Sequence, residues 1–402
     1  MSYTKTKTIV SLCSLANLIL AADRVLMPIA IIPMSDEHEW DLHGQGWILS
    51  SFAIGYMTSQ LLAGSLVKRH GGKKFLTLAV TMWSLSTFVT PLFSNSIYCL
   101  ITLRVLLGIG EGFGLPTIFH IFAHTIPIEE RSRAFSYLIG FGSIGQTLTA
   151  LICPNLPWRA SFYLFGLMGF MWVLLWVILY KEIRGPIEEE FVQPPKLNST
   201  NVHWTEFIRH WPLWSTYIAH FSMNWSNYII MQWLPTYFAR GLEAKREEIM
   251  FTAVPYVMNS LVGMTSGHFA DALISHKWTV LSVRRLMTTI GLIGPALFIL
   301  LFSAANNFVM AVILISVSMG LSACNASGHL SNHADIAPNH AGITFAVSNT
   351  LATIPGITCG PLTAELVVKS NKRWFPVFVL AAVVNITGSI IYISQSAASQ
   401  II

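Results

Sequence analysis

The sequence predicts an all-α membrane protein with twelve transmembrane helices in two six-helix bundles, and three observations support this prediction. Hydrophobic residues make up 53% of the 402 residues and charged residues only 11%, whereas soluble domains average about 25% charged residues. Apolar runs of about 20 residues, long enough to cross roughly 30 Å of hydrocarbon as a helix, recur along the whole chain. Finally, the two halves of the sequence resemble each other.

This composition argues against several other classes of protein. Too few charges are present to cover a soluble surface, so neither an ordinary soluble enzyme nor a nucleic-acid-binding domain is expected. The net charge of +5 is attributed instead to basic loops on the cytoplasmic side of a membrane. The five cysteines show neither the spacing of a disulfide framework nor that of a zinc site. They are Cys13, Cys99, Cys153, Cys324 and Cys359.

Charge clusters and Pro/Gly positions divide the apolar pattern into twelve spans. The longest polar stretch, 181–210, is charged and Pro-rich and lies near the middle of the chain. It therefore predicts an N-terminal bundle at 1–180, a cytoplasmic linker at 181–210 and a C-terminal bundle at 211–402. The predicted spans are 8–34, 45–66, 74–94, 97–124, 134–154, 159–180, 211–238, 248–275, 282–304, 307–334, 341–367 and 374–394.

Similarities between the halves indicate a parallel repeat of six helices. GSLVKRHGGKK at Gly64–Lys74 and GHFADALISHKWTVLSVRR at Gly267–Arg285 both lead from a small-residue helix end into a basic turn. Pro154 and Pro361 occupy corresponding places in spans 5 and 11. A parallel repeat is the architecture expected of one large class of transporters.

The distribution of Lys and Arg predicts the orientation in the membrane. With the N-terminus inside, fifteen of the 24 basic residues fall in inner loops and seven in outer loops. Because cytoplasmic loops are enriched in Lys and Arg, both termini are expected in the cytoplasm. The pattern is compatible with the plasma membrane and with an organelle or vesicle membrane.

Ionisable residues inside the spans are the most informative about function, because each costs roughly 2.5–3.5 kcal/mol on insertion scales. Arg24 in span 1 and Arg104 in span 4 are expected at similar depth, roughly 10–15 Å below the outer ends. Two guanidinium groups at one depth would suit a carboxylate or phosphate. Glu111 shares a helix face with Arg104, is expected about 10 Å deeper, and could accept a proton or pair with an Arg.

A purely structural reading of these charges stays open. Arg24 could pair with Glu111 only to hold helices together, whereas adjacent Asp23 points about 100° away and is a poor partner for it. Arg104 could serve structure or coupling instead of binding an anion.

The histidines and aromatic residues give weaker signals. His120 with His124, and His329 with His333, are spaced i, i+4, but neither pair has a further ligand at zinc-site spacing. A hydrogen-bonded histidine in the interior or at a loop edge is the default interpretation for all four. His329 is a candidate cavity-lining residue, and Tyr228 in span 7 could bind substrate or simply pack.

These residues lie in motifs that resemble the anion/cation symporter family of the major facilitator superfamily. The resemblance covers nearly the whole chain. ADRVLMPIAIIPMS, RVLLGIGEGFGLP, PIEERSRA, QWLPTYF, SVRRLMTTIGLIGP and NHADIAP carry it, and NHADIAP is the most specific. The resemblance implies the major facilitator fold, an anion site at Arg24 and Arg104, and coupling through Glu111. The superfamily's inner-loop gating motif matches Gly64, Arg69, Gly71 and Lys73.

This chain also departs from the family pattern. Lys68 replaces the acidic residue of the first gating motif, whereas the second-half copy keeps Asp271. The span 4 His of some members falls at Phe119, which leaves His120, one position later, as the coupling candidate. Leu49 and Met223 stand where vesicular glutamate carriers have His and Arg, so such a carrier is not expected.

We therefore expect a secondary active transporter of a small anion, inorganic phosphate or an organic anion, that works by alternating access. It would be a monomer in the bilayer without a bound cofactor, and a sodium or proton gradient or the membrane potential could drive it. A facilitator of a neutral solute and a non-transporting receptor on the same fold are the alternatives. The sequence shows no nucleophile and base at catalytic spacing, so an enzyme is not expected. No nucleic-acid partner is expected either.

Overall fold

The computed structural model describes residues 2–126, 128–180, 205–338 and 340–401, and all regular secondary structure within these ranges is helical. The first half contains six long helices, two of which end in short 3₁₀ turns at Thr90–Phe93 and Cys153–Asn155. They are α1 Ser2–His38, α2 Leu42–His70, α3 Gly72–Val89, α4 Ile97–Thr125, α5 Ile128–Ile152 and α6 Trp158–Leu179.

The second half begins with a single turn and continues as long helices, some of them interrupted. A π-turn at Tyr237–Gly241 and 3₁₀ turns at Arg246–Thr252 and Ala323–Ala326 extend or join them. The helices are α7 Glu206–Arg209, α8 Trp211–Thr236, α9 Ala253–Ser275, α10 Val280–Ser303, α11 Phe308–Ser322, α12 His329–Ile336, α13 Ala341–Leu351, α14 Ile354–Lys369 and α15 Phe375–Gln395.

Helical structure covers all twelve predicted spans. Within the described ranges, nine helical stretches are long and apolar enough to cross a membrane by length and composition alone. The other three predicted spans coincide with α2, α8 and α9, which are helices of 29, 26 and 23 residues. Their higher polarity is expected of helices that bury polar side chains inside a bundle.

Two spans of the second half are broken where the sequence disfavours a continuous helix. Between α11 and α12 the backbone leaves the helical region at Gly328, whose φ and ψ are −91° and −118°. Between α13 and α14 the break comes just before Pro355, which lacks an N–H to continue the preceding helix. Such interruptions occur in membrane proteins where protein, rather than lipid, surrounds the backbone.

The chain forms two compact units. The first unit comprises the described residues within Met1–Met27, Ser51–Thr149 and Leu156–Val202. The second comprises the described residues of Pro28–Ser50, Ala150–Asn155 and His203–Ile402. The division within α1 falls directly before Pro28, one of two prolines inside that helix. Of the predicted linker, 181–204 lies outside the described residues.

Close backbone contacts hold the first unit together. A Cβ atom on Gly55 of α2 would lie 2.0 Å from the Val105 carbonyl oxygen, and one on Gly108 of α4 would lie 2.1 Å from the Phe52 carbonyl oxygen. Only glycine fits at these two positions, since real Cβ atoms do not approach backbone that closely. Small residues allow membrane helices to approach in this way, and α2 and α4 are thereby brought together beside the buried charges.

The second unit includes the start of α2, which packs closely on α14. Cβ atoms on Gly46 and Gly360 would each lie within 2.6 Å of the other residue's carbonyl oxygen. The Gly360 N–H donates a hydrogen bond to Ser50 Oγ at 3.1 Å. Arg240 forms an ion pair with Asp36. The second unit therefore contains the predicted outer ends of spans 1 and 2.

Candidate functional site

A buried ion pair joins α1 and α4 within the first unit. Arg24 Nε donates a hydrogen bond to Glu111 Oε2 at 2.8 Å. The Arg24 side chain is 21% exposed, whereas that of Glu111 is 0% exposed. The sequence estimate placed Glu111 about 10 Å deeper than Arg24, but the long Arg24 side chain reaches it. Arg24 is thus the more exposed residue of the pair.

Two further charges lie close behind this pair. Asp23 and Arg104 are 1% and 5% exposed, and both interact electrostatically with Glu111 and with each other. We call Asp23, Arg24, Arg104 and Glu111 the charge quartet. With all four residues ionised, the quartet carries no net charge.

The quartet has unused hydrogen-bonding capacity. Among the described residues, Arg104 Nε and Glu111 Oε1 have no hydrogen-bond partner. Buried polar atoms are normally paired, because an unpaired one costs about 1–3 kcal/mol. Unpaired atoms beside a partly exposed arginine in a membrane-spanning helix are typical of a functional site rather than of a purely structural ion pair.

Two aromatic rings of α2 line the quartet. The Arg24 guanidinium carbon lies 4.7 Å from the centroid of the Tyr56 ring and 5.3 Å from that of Phe52. The guanidinium carbon of Arg104 lies 5.4 Å from the Phe52 centroid. These distances are within the range of cation–π attraction. The sequence alone does not distinguish these rings from core residues, since aromatic residues at i and i+4 on an apolar helix also fit simple core packing.

The two other predicted substrate-binding residues belong to the second unit. Tyr228 is half-buried on α8. His329 is 0% exposed at the start of α12, and neither of its ring nitrogens has a hydrogen-bond partner in the described part of the chain. Its ring centroid lies 5.8 Å from that of His220 and 6.2 Å from that of Tyr392. His329 therefore belongs to a buried polar cluster of the second unit.

The predicted coupling histidine lies near the C-terminal end of α4. The His120 ring centroid is 4.1 Å from that of His124, and His124 Nδ1 lies 2.8 Å from the His120 carbonyl oxygen. Nine residues separate His120 from Glu111, about 13 Å along a helix. Within the described ranges, no group of three or more His, Cys, Asp or Glu residues could hold a metal ion.

The gating motif forms the connection between α2 and α3. Gly71 adopts a positive φ of 81°, which favours glycine. Lys73 Nζ donates a hydrogen bond to the Tyr180 carbonyl oxygen, at 2.6 Å, directly after the end of α6. Arg69 and, in the second unit, Asp271 are exposed, whereas only the backbone of Gly64 and Lys68 is described. Within the first unit, Lys73 therefore ties the start of α3 to the end of α6.

Comparisons with known proteins show the family to which the sequence is similar. The model of the Major Facilitator Superfamily matches residues 12–358. A "Sodium-dependent phosphate transport protein 1, chloroplastic" from Arabidopsis thaliana is 31% identical over 417 aligned positions, which cover 100% of this chain and 81% of that protein. Human "Sialin" is 34% identical over 377 positions, covering 89% of this chain and 76% of that protein.

Solved structures show the same fold. A bacterial homologue of the human lysosomal transporter Spinster superposes with a TM-score of 0.81, covering 97% of both chains at 14% identity. The predicted all-α major facilitator fold with two six-helix halves is confirmed.

Proposed function

This chain belongs to the Major Facilitator Superfamily and, within it, to the anion/cation symporter family, and on that premise we propose that it transports a small anion by alternating access. The substrate class is inorganic phosphate or an organic anion, and a phosphate transport protein is among the similar proteins. As a transporter, the protein moves its substrate across the membrane without changing the covalent bonds of the substrate.

One observation carries the assignment of the anion site. Arg24 is the accessible residue of a charge quartet whose other three members are at most 5% exposed. A guanidinium offers a planar fork of donors that matches carboxylate and phosphate oxygens. The anion therefore docks on Arg24, in competition with Glu111. Arg104 supports this site from the buried side.

Charge balance suggests how the anion is coupled to an ion gradient. Binding one negative charge to a neutral quartet leaves an excess negative charge in a poorly solvated region, which is costly. Protonation of Glu111 removes that excess and also frees Arg24 for the anion. We therefore assign the coupling proton to Glu111. Sodium is the alternative coupling ion, and the transport assay described below distinguishes coupling to sodium from coupling to protons.

The remaining predicted residues have supporting roles in this proposal. Tyr228 and His329 contribute to substrate selection, and His120 assists proton transfer near the C-terminal end of α4. The gating motif of Gly64, Arg69, Gly71, Lys73 and Asp271 controls the inner side. Both termini lie in the cytoplasm, and the membrane is the plasma membrane or that of an organelle or vesicle.

Uptake into proteoliposomes tests the proposal. Labelled phosphate, glutamate, sialate, urate and ATP are supplied separately, while the sodium gradient, pH gradient and voltage are varied one at a time. We expect uptake of at least one anion, stimulation by a proton gradient, and loss of uptake in Arg24→Ala. The matched control is Arg159→Ala, because Arg159 is an exposed arginine stacked 4.2 Å above the Trp158 ring. Undiminished uptake by Arg24→Ala would refute the anion site.

A further inference from the structure

One aromatic ring contacts both cations of the charge quartet. Phe52 is 3% exposed, and its centroid lies 5.3 Å from the Arg24 guanidinium carbon and 5.4 Å from that of Arg104. The face of a phenyl ring carries negative electrostatic potential and attracts guanidinium groups at such distances. Phe52 therefore interacts at once with the accessible cation and with the buried one.

The backbone around Phe52 is held rigidly. Its carbonyl oxygen faces Gly108 of α4, where a Cβ atom would come within 2.1 Å. Its ring also stacks on Tyr56, with centroids 5.7 Å apart and planes inclined by 29°. A side chain fixed by helix packing and by a stacked neighbour can in turn fix what it touches.

The two arginines differ in what they need from their surroundings. Arg24 must present its guanidinium to an incoming anion, although its Nε is bonded to Glu111 before the anion arrives. Arg104 is 5% exposed and interacts with Asp23 and Glu111. Two like charges in a poorly solvated region repel each other strongly. A neutral ring with attractive potential lowers the energy of both cations without pairing with an anion.

We propose that Phe52 is a positioning residue for anion binding, which holds the Arg24 guanidinium in its docking orientation while keeping Arg104 in place behind it. This inference depends on the proposed function, since it assumes that the anion docks on Arg24. The structural alternative is that Phe52 only fills space. The two roles require different properties of the ring. Filling space depends on the volume of the ring, whereas positioning the arginines depends on the negative electrostatic potential of its face.

Stepwise fluorination separates these readings, because fluorine withdraws electron density from the ring face with little change of shape. Phe52 in the full-length chain is replaced by 4-fluoro-, 3,5-difluoro- and 3,4,5-trifluorophenylalanine. KM and Vmax are measured in proteoliposomes with labelled inorganic phosphate, or with the panel anion that the wild type takes up fastest. We expect KM to rise with each fluorine, by about two- to thirtyfold over the series. Vmax and the unfolding temperature should change little.

Phe75 provides the matched control. It is 6% exposed in the same unit, and its ring packs on Phe113 at 5.0 Å. The same fluorinated residues at Phe75 should leave KM unchanged. As a further check, Phe52→Leu should raise KM and Phe52→Tyr should restore it.

The outcomes distinguish this inference from the function on which it rests. A flat KM across the Phe52 series, with uptake still lost in Arg24→Ala, overturns the positioning role and leaves the anion site intact. A flat KM together with full uptake by Arg24→Ala overturns both.

Discussion

Arg24 and Glu111 form a hydrogen-bonded ion pair of 2.8 Å between α1 and α4, with the arginine accessible and the glutamate fully buried. In the proposed mechanism, an anion approaching this pair meets the cation first. The carboxylate would compete for the same guanidinium, so that binding of the anion and protonation of the carboxylate would favour each other.

Glu111→Gln should uncouple transport from the proton gradient. The amide cannot take up the proton, so accumulation driven by a pH gradient should be lost while exchange of labelled for unlabelled anion continues. In the wild type, uptake should rise as pH falls on the side from which the anion enters, because the proton travels with it. Initial uptake rates measured from pH 5 to pH 8 test this.

Glu365→Gln is the control for that experiment, because Glu365 is a carboxylate of α14 whose side chain is 43% exposed. It should keep the pH dependence of the wild type. Proton-driven accumulation by Glu111→Gln would contradict the coupling role.

Arg104→Met should destabilise the protein, by about 3–5 kcal/mol, because it removes a buried cation that interacts with the buried carboxylates of Asp23 and Glu111. Adding Asp23→Asn removes one of those carboxylates and should recover part of the loss. Thermal unfolding in detergent measures both effects, with Arg69→Met as an exposed control. If the double variant is no more stable than Arg104→Met, the quartet does not balance its charges as described.

Gly46→Ala should slow transport. The added methyl group would lie 2.6 Å from the Gly360 carbonyl oxygen, so α2 and α14 must move apart where they cross. A change of 1.4 kcal/mol between two conformations shifts their ratio about tenfold, and we expect Vmax to fall by a similar factor. Gly342→Ala should retain the wild-type Vmax, because among the described residues outside its own stretch of helix no atom lies within 4 Å of the new methyl group.

Lys73→Met should lower stability rather than anion affinity. The ammonium group donates a hydrogen bond to the Tyr180 carbonyl oxygen beyond the end of α6, and loss of a hydrogen bond from a charged donor costs about 1.5–3 kcal/mol. Unfolding temperature and KM should be measured together, with the exposed neighbour Lys74→Met as control. A large increase in KM without loss of stability would indicate a direct role in transport instead.

Much of the architecture could be predicted from the sequence because the membrane imposes a simple rule. A helix must stay apolar for about 20 residues to cross the bilayer, and that requirement is visible as repeated apolar runs. The same rule makes Arg24, Arg104 and Glu111 conspicuous, since charged residues in such runs need a functional or structural reason. The linker prediction likewise comes from the longest polar interruption of this pattern. The repeat prediction comes from similar interruptions in the two halves.

The contacts within the site could not be predicted in the same way. Phe52 and Tyr56 look like ordinary core residues, because nothing in helical periodicity says which buried ring faces a cation from another helix. Helix geometry indicates only that Asp23 is a poor partner for its neighbour Arg24. In the structure Asp23 interacts with Arg104 and Glu111, which are more than 80 positions away in the chain.

The sequence by itself therefore determined the membrane class, the positions of the twelve helices and the identity of the buried charges, because hydrophobicity and charge act locally along the chain. Only the tertiary structure decided which charges pair, which of them remains accessible and which rings stand over them. Those features depend on how closely α2 approaches α4 at Gly55 and Gly108, a contact between helices that no single segment encodes.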